Sequence, residues 1–277
     1  MVAMQRYFIQ PASFSADHVT ITGDDAHHLI RVMRAKAGDR VIVSDGCGRE
    51  AVAVLRSLEA GEVTAAVEQW LPPDKEPRVD VWIAQSLPKG DKMELVIQKG
   101  TEIGAARFIP FSSERTVVQW DAKKEGKRLE RWQKIAKEAA EQAHRSCIPA
   151  VESVQSWKGL LKLAAEADAA WFCYEKQDAQ ELRSLIKSAL RKTQVSAAET
   201  GEGVQAPKPH GTQEESRPKL LVIVGPEGGF SEREAAEAEQ AGCRPVSLGK
   251  RILRTETAAM VGLTCILYEA GEMGGDE

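Results

Sequence analysis

The segment at residues 220–230, with the sequence "LLVIVGPEGGF", constrains the fold of this 277-residue chain more than any other. Its first five residues are all apolar, which is typical of a strand buried on both faces of a parallel sheet. A loop with three glycines follows, and Ser231 and Glu234 then complete the S-x-x-E pattern of a helix N-terminus. Strand, glycine loop and helix in this order predict an α/β domain with a largely parallel sheet.

The same alternation of strand, loop and helix extends over most of the chain. Short apolar runs bounded by polar residues predict strands, and amphipathic spacing predicts helices. The helical pattern is clearest at residues 127–145, where Leu129, Trp132 and Ala136 share one face. The remaining predicted strands lie at 79–85, 106–111, 168–175 and 244–249, and the remaining predicted helices at 91–104, 231–242 and 258–270.

The first part of the chain follows a different pattern. Short, partly alternating segments at 40–46, 51–58 and 62–70 are separated by glycine turns, which predicts a small β-barrel. Three prolines then fall within residues 71–77. We therefore expect two domains, one at 1–72 and one at 73–277.

A polar segment at residues 191–218 interrupts the second predicted domain. It is poor in aromatic residues and rich in glycine, proline, serine and threonine, so it has too little apolar surface to fold alone. We predict a disordered surface insertion. His210 lies within it and is expected to be solvated and not catalytic.

Composition argues against a membrane-spanning, secreted or disulfide-rich protein. No apolar run approaches the roughly 20 residues that span a bilayer, and the N-terminus lacks the pattern of a signal peptide, so we expect a cytoplasmic protein. The net charge of −4 argues against coating of nucleic acid through bulk charge but permits local basic patches. The five cysteines form no C-x-x-C pair, which indicates neither a disulfide framework nor a zinc site, and we expect buried thiols.

The glycine loop does not have the spacing of a phosphate-binding loop. Neither G-x-x-x-x-G-K-[ST] nor G-x-G-x-x-G is present, and Glu227 would repel a phosphate. A neutral or cationic ligand suits the loop better. A second polar loop, "KRILRTETA", follows the predicted strand at 244–249, so two loops at the carboxyl ends of strands predict a ligand crevice.

These two C-terminal motifs carry a resemblance to a known family. "VGPEGGFSEREAAEA" and "VSLGKRILRTETAAM" resemble the paired motifs of the RsmE family, which methylates uracil in small-subunit ribosomal RNA and belongs to the SPOUT methyltransferases. "HHLIRVMRAKAGDRVIVSDG" is similar to the PUA-like RNA-binding barrel of that family, and "LPKGDKMELVIQKGTEIGAARFIPFSSERT" to the opening of its catalytic domain. The resemblance covers most of the chain.

The resemblance implies a fold, a cofactor and a substrate. The fold is an α/β SPOUT domain with a deep trefoil knot, preceded by a small PUA-like β-barrel, and the protein is expected to be a homodimer. S-adenosylmethionine is the implied methyl donor, and no metal is expected. The implied substrate is 16S ribosomal RNA, within the assembled small subunit, and the implied product is a uridine methylated at N3, at the family's position 1498 of that RNA.

The resemblance also implies site residues. The expected catalytic residues are Arg254, which would stabilise negative charge on the uracil, and Glu256, which would accept a proton. An alternative for both is that they pair with each other and cap the last helix. The expected donor-binding residues are Val224, Gly225, Glu227, Gly228, Gly229, Leu248, Gly249, Arg251, Ile252, Leu253 and Arg254.

RNA contacts are expected in both domains. Arginines would bind phosphates or stack on bases, although a surface salt bridge is the alternative for each. The expected residues are Arg6, His28, Arg31, Arg34, Lys89, Ser113, Arg115 and Arg145.

Two other functions stay open at this point. One is a non-catalytic RNA-binding or ribosome-assembly factor, and the other is a SPOUT methyltransferase that acts on tRNA ribose.

Overall fold

A computed structural model describes residues 4–72, 75–118, 122–174, 180–199 and 217–275. Its contacts divide the chain into two compact units. The first unit contains the described residues of Met1–Glu76 together with Lys137–Ile148, and the second contains those of Pro77–Ala136 and Pro149–Glu277. The chain therefore returns to the first unit after residue 136. The predicted domain boundary after residue 72 stays a prediction.

The first unit is built around a mixed, five-stranded half-barrel sheet. Its strand order is β1-β3-β4-β5-β2, and only the β1–β3 pair is parallel. Alternate residues of these strands, such as Val41 and Val43, point into a common apolar core. The elements are β1 (Arg6–Phe8), β2 (His18–Thr22), α1 (Gly23–His27) with a π-helical turn at His28–Val32, β3 (Arg40–Ser44), β4 (Glu50–Glu59) and β5 (Glu62–Trp70).

The second unit is built around a parallel sheet with helices between its strands, which confirms the predicted α/β class. The strand order is β11-β13-β10-β12-β6-β7-β8, and β9 also pairs with β7. The strands are β6 (Asp80–Ser86), β7 (Arg107–Ser112), β8 (Ala150–Val151), β9 (Gln155–Ser156), β10 (Ala169–Cys173), β11 (Gln180–Glu181), β12 (Lys219–Val224) and β13 (Arg244–Ser247). The helices are α2 (Lys92–Ile103), α3 (Ala122–Gln142), α4 (Trp157–Ala164), α5 (Leu182–Glu199), α6 (Glu232–Gln240) and α7 (Thr255–Glu269), and the residues of α3 from Lys137 onward belong to the first unit.

The central strand β12 is the apolar run that predicted the sheet. Leu220 to Val224 are buried because β6 and β10 cover its two edges and helices cover its faces. α7 packs especially close, since a β-carbon added to Gly262 would lie 3.0 Å from Cγ1 of Val222. This close approach holds the middle of α7 against β12.

Three predictions need correction. Helix α3 covers Ala122–Gln142 and so begins and ends earlier than predicted. Residues 191–199, assigned to a disordered insertion, are the last turns of α5, since alanine, glutamine and lysine there favour propagation of a helix. Residues 200–216 of the predicted insertion at 191–218 lie outside the described residues, and residues 217–218 have no regular secondary structure. Of the cysteines expected to be buried, Cys47 and Cys265 are exposed.

Within the described part of the chain, no helix combines the length and apolar character that crossing a membrane requires.

Candidate active site

Several loops of the second unit meet at one edge of the parallel sheet. Because the strands are parallel, their carboxyl ends lie at the same edge, and the register places Gln85 beside Val224 and Ser86 beside Phe111. The first loop, defined as residues 225–231, follows β12, and the second loop, residues 248–254, follows β13. The loops that follow β6 and β7 lie at this edge as well.

Glycine geometry shapes the first loop. A β-carbon at Gly225 would lie 3.1 Å from the Phe230 ring, and Gly229 has a φ of +65°, which disfavours other residues. The N–H of Gly229 donates to the carbonyl of Pro226 at 2.9 Å and closes a tight turn. The Phe230 ring is buried against Phe111, Trp157 and Phe172, so the loop is held down by its last apolar residue.

The predicted capping box joins the first loop to α6 and is confirmed. The Glu234 N–H donates to Oγ of Ser231 at 3.2 Å, and the Ser231 N–H donates to Oε2 of Glu234 at 3.0 Å. The other oxygen of Glu234 accepts the N–H of Glu114 at 2.7 Å. The Ser231 hydroxyl donates to Glu114, and this bond lowers the carboxyl pKa of Glu114, although desolvation opposes the shift. One buried carboxylate thus connects the loops after β12 and β7.

A hydrogen-bond chain connects the first loop to α7. The hydroxyl of Thr255 donates to the carbonyl of Gly225 at 2.7 Å and accepts from Nε2 of Gln85 at 2.7 Å. Gln85 is fully buried, and its Oε1 accepts no hydrogen bond from any residue that the structure describes. A buried, unsatisfied carbonyl is costly unless a ligand or water satisfies it, so this atom marks a place for a donor group or a cation.

Lys92, which the sequence analysis missed, joins two carboxylates at this edge. Its Nζ donates to Oε1 of Glu227 at 3.0 Å and forms an ion pair with Oε2 of Glu256 at 3.4 Å. The hydrogen bond to Glu227 is the largest cause that raises the pKa of Lys92. Desolvation opposes ionisation of Glu227, but hydrogen bonds from the backbone and Lys92 lower its carboxyl pKa overall. Lys89 adds a backbone N–H to the same carboxylate at 3.3 Å.

The two predicted catalytic residues lie in different surroundings. Glu256 is 8% exposed in the first turn of α7, directly after Thr255. Arg254 is the exposed N-cap residue of α7, and its side chain forms no capping bond. The two side chains form no ion pair with each other in the structure, because Glu256 turns to Lys92. The alternative that Arg254 and Glu256 pair as a cap is therefore wrong.

The second loop is the more open of the two. Gly249 has a φ of +115°, and the Ser247 hydroxyl lies 3.3 Å from both the N and the O of Gly249. Ile252 is 86% exposed, an unusual position for a large apolar side chain. Of the remaining donor-binding candidates in this loop, Leu248 and Leu253 are half-buried and Arg251 is exposed.

The predicted RNA contacts in the first unit divide into two groups. Arg31 and Arg34 are exposed, and the half-buried His28 has its Nδ1 2.9 Å from the Tyr7 hydroxyl. Arg6 and Arg145 are buried and form ion pairs with Glu50 and Glu76 respectively. Their geometry matches a structural role, whereas Arg31 and Arg34 have guanidinium groups available to solvent.

The predicted RNA contacts in the second unit lie around the first loop. Arg115 is exposed, and its Nη1 donates to the carbonyl of Gly228 at 2.8 Å. Lys89 has an exposed side chain. Ser113 is buried, and its hydroxyl lies 3.0 Å from that of Ser86 and 2.9 Å from that of Thr116, so it supports the loop after β7 from within. Among the described residues, no group of three or more histidine, cysteine, aspartate or glutamate side chains is arranged to hold a metal ion.

Comparisons with known proteins match both parts of the chain. A family model described as "RNA methyltransferase domain" matches residues 75–267, and one described as "RNA methyltransferase PUA domain" matches residues 21–68. The chain is 39% identical over 277 residues to ribosomal RNA small subunit methyltransferase E of Bacillus subtilis, covering 99% of this chain and 100% of that protein. It is 33% identical to the protein of the same name from Synechocystis, covering 96% and 78% respectively.

Solved structures agree with this result. The Neisseria gonorrhoeae ribosomal RNA small subunit methyltransferase E, bound to S-adenosylmethionine, superposes with a TM-score of 0.75 at 28% identity, covering 96% of this chain and 97% of that one. A Legionella pneumophila methyltransferase with the same bound cofactor has a TM-score of 0.76 at 26% identity, covering 96% and 98% respectively.

Proposed function

The chain belongs to the ribosomal RNA small subunit methyltransferase E family, and we propose that it uses S-adenosylmethionine to methylate N3 of a uridine in 16S ribosomal RNA. The observation that carries the proposal is the hydrogen-bond chain from Gln85 through Thr255 to Gly225. It places Glu256 beside the glycine loop that would hold the donor. The specific uridine, position 1498 in the family, is part of the same proposal.

The residues of the site fit this cofactor. When bound, S-adenosylmethionine supplies an electrophilic methyl group on a sulfonium cation. The first loop has glycines where a ligand can approach the backbone, and Glu227 contributes a carboxylate that favours a cation over a phosphate. The unpaired Oε1 of Gln85 is a buried acceptor near the same loop.

Glu256 and Arg254 would act on the uracil. The N3 atom of uracil is a poor nucleophile while it carries its proton, so a base must take that proton as the new N–C bond forms. Glu256 has the carboxylate for this task, and Lys92 holds it toward the first loop. Arg254 has an exposed guanidinium that would stabilise the negative charge on the uracil oxygens.

A homodimer is the second part of the proposal. One face of α7 is exposed or partly exposed and consists of apolar and weakly polar side chains. Its members follow the three- and four-residue spacing of a helix face: Thr257, Met260, Val261, Thr264, Cys265 and Tyr268. A second copy of the chain would remove this surface from water. The trefoil knot implied by the resemblance stays a prediction.

The proposal also includes the form of the RNA substrate and the cellular compartment. We take the assembled small subunit to be the substrate and the cytoplasm to be the compartment, since ribosomal RNA is found there. A methylation assay that compares free 16S RNA with purified small subunits tests whether the assembled subunit is the substrate.

Calorimetric titration with S-adenosylmethionine tests the cofactor, and Gly228→Val is the matched control. A β-carbon at Gly228 would lie 3.4–4.0 Å from the Arg115 side chain, an ordinary contact, so valine would obstruct the loop with little disturbance of the fold. We expect binding to the native protein and none to the variant. No binding with or without small-subunit RNA would favour a non-catalytic RNA-binding factor.

Digestion of the methylated RNA to nucleosides tests the acceptor. A methyl group on the base supports the proposal, and a methyl group on the ribose would favour the activity of a tRNA-type SPOUT enzyme. Glu256→Gln should lower the single-turnover rate by roughly 10²- to 10⁴-fold with unchanged donor affinity. Full activity of this variant would remove Glu256 from the mechanism.

A further inference from the structure

Two cysteines of the first unit, distant in sequence, lie opposite each other. Cys47 is in the turn between β3 and β4, and Cys147 is in the segment that follows α3. The backbone pairs them in an isolated antiparallel bridge. Side chains of directly opposed residues in such a pair point to the same side, so the two thiols share one side of the bridge.

The hydrogen bonds around the bridge define the type of pair. The N–H of Gly48 donates to the carbonyl of Ser146 at 3.3 Å, and the N–H of Ile148 donates to the carbonyl of Gly46 at 3.1 Å. Both bonds flank the cysteines, so this is a non-hydrogen-bonded pair, whose Cα atoms are typically about 4.5 Å apart. A disulfide requires a Cα separation of roughly 4.4–6.8 Å.

Buried carboxylates hold both backbones in this geometry. Oδ1 of Asp45 accepts the N–H of Cys47 at 2.8 Å and that of Arg49 at 3.0 Å. Oε1 of Glu76 accepts the N–H of Ser146 at 2.9 Å and that of Cys147 at 3.0 Å. The two segments are thus fixed independently of any bond between the sulfur atoms.

Exposure, thiol pKa and position in the fold together distinguish this pair from the other three cysteines. Cys47 is exposed, Cys147 is partly exposed, and the neighbours of Cys47 on both sides are glycines without side chains. Cys173 is also partly exposed and Cys243 is buried, and burial raises the pKa of their thiols to about 12 and about 11, so few of these groups are thiolates at neutral pH. Cys265 is exposed but lies on α7, in the second unit.

We propose that Cys47 and Cys147 form a reversible intramolecular disulfide when the protein meets a hydroperoxide. The Cys47 thiolate attacks hydrogen peroxide, the O–O bond breaks, hydroxide leaves and takes up a proton to become water, and the sulfur becomes a sulfenic acid. The Cys147 sulfur then attacks the Cys47 sulfur, an S–S bond forms, and water leaves. Two thiols and one peroxide give one disulfide and two waters. In a reducing compartment such a bond is transient, as expected of a redox-responsive site.

Thiol counting on the folded, full-length chain tests the proposal, with Cys265→Ser as background to remove the other exposed thiol. The protein is reduced, treated briefly with peroxide, quenched and unfolded before its thiols are counted. The natural chain has five cysteines, so the Cys265→Ser background has four. The number of reduced thiols should fall from four to two. Peptide mass spectrometry should find the segments with Cys47 and Cys147 linked, and dithiothreitol should restore four thiols.

Cys47→Ser and Cys147→Ser in the same background are the matched controls. Neither should yield an intramolecular link. The proposal would be overturned if the linked peptide were absent, or if it formed only in denaturant. Equal thiol loss in the Cys265→Ser background and in its Cys47→Ser derivative would also overturn it, because the peroxide would then have oxidised other sites.

The link should also stabilise the first unit. Oxidation would join the segment after α3 to the β3–β4 turn, so we expect a higher thermal midpoint of unfolding in the oxidised protein. The increase should disappear on reduction and be absent in Cys47→Ser. An unchanged midpoint together with a linked peptide would contradict the inference that the native backbone geometry accommodates the bond.

Discussion

The Nζ atom of Lys92 lies 3.0 Å from Oε1 of Glu227, and it lies 3.4 Å from Oε2 of Glu256. A single ammonium group at the start of α2 therefore connects the glycine loop after β12 to the first turn of α7. In the proposed function these two carboxylates face the methyl donor and the uracil respectively. Their relative position would then depend on Lys92.

Lys92→Met should slow methyl transfer more than it weakens donor binding. Methionine keeps much of the length of the side chain but removes the charge that holds Glu256, and misplacement of a reacting group by about 1 Å can cost roughly 10²-fold in rate. We expect a decrease of about 10- to 100-fold in the single-turnover rate, with donor affinity changed less than about threefold. Rapid-quench assays and calorimetry measure the two quantities.

Lys92→Arg is the control for this prediction. Arginine restores a cation that can bond to a carboxylate, so it should recover part of the lost rate. If Lys92→Met and Lys92→Arg were equally slow, the shape of the lysine and not its charge would be responsible. A normal rate in Lys92→Met would show that Glu256 is positioned without it.

The features that can be predicted from the sequence are those whose residues lie close together in the chain. The apolar run at β12, the glycine loop and the S-x-x-E capping box are contiguous in the chain, and each was confirmed. The role of Lys92 was not predicted, because its partners lie in distant parts of the chain, and Glu227 is 135 residues away. Its sequence context, a lysine at a helix start, resembles many solvated surface positions.

Glu234→Ala should destabilise the second unit. Glu234 is 1% exposed, and its carboxylate accepts N–H groups from Ser231 and Glu114, so alanine leaves two donors unsatisfied. We expect a loss of about 2–3 kcal/mol in the free energy of unfolding, measured by urea titration. Ser231→Ala, which removes the hydroxyl that caps α6 and donates to the exposed Glu114 carboxylate, should cost about 1 kcal/mol.

Glu232→Ala is the matched control for the capping box. Glu232 is in the same turn of α6 but is exposed, so its removal should change the free energy of unfolding by less than about 0.5 kcal/mol. If Glu232→Ala and Glu234→Ala lowered the free energy of unfolding equally, the loss would reflect a general effect of helix charge. The buried hydrogen bond from Glu114 to Glu234 would then contribute little to stability.

Arg31→Ala combined with Arg34→Asn should reduce the salt dependence of RNA binding. Asparagine is chosen because Arg34 has a φ of +52°, which asparagine tolerates. Both arginines are exposed, and each phosphate contact on single-stranded RNA contributes roughly 0.7 to the slope of log K against log salt. Filter binding at several salt concentrations should show a slope smaller in magnitude by about 1.4.

Arg56→Ala, an exposed arginine on β4, is the control and should leave the slope unchanged. For Arg6→Met we expect the opposite result, a change in stability and not in RNA binding. Arg6 is buried and paired with Glu50, so its loss should lower stability and leave the salt slope of the folded protein as it was. A reduced slope in Arg6→Met would restore the RNA-contact prediction at that position.

The two buried arginines show a limit of sequence reasoning. Arg6 was expected to contact RNA because its segment resembles the RNA-binding module, and Arg145 because it was placed in or beside a loop at the crevice. Whether a guanidinium faces solvent depends on acidic partners elsewhere, here Glu50 and Glu76. Tertiary packing supplies those partners, and the return of Lys137–Ile148 to the first unit is an example that no local pattern predicts.

Glu141→Gln should stabilise the first unit at alkaline pH. Desolvation is the main cause that raises the carboxyl pKa of Glu141 above its ordinary value, Asp25 adds to it, and Lys137 opposes it. The folded state holds the Glu141 proton more tightly than the unfolded state does. The stabilisation that results is complete below the carboxyl pKa of the unfolded chain, and it is lost as pH rises through the raised pKa of the folded state. Glutamine carries no charge and can still accept the N–H of Phe8, which lies 3.4 Å from Oε1.

The thermal midpoint of Glu141→Gln should therefore exceed that of the native protein at about pH 8, and the difference should shrink toward zero as pH falls to about 4. Glu138→Gln, an exposed position on the same helix, is the control for the loss of one carboxylate from α3. Calorimetric scans across this range measure both. If Glu141→Gln were less stable than the native protein at the alkaline end, the ion pair with Lys137, 3.7 Å away, would outweigh the desolvation of the carboxylate.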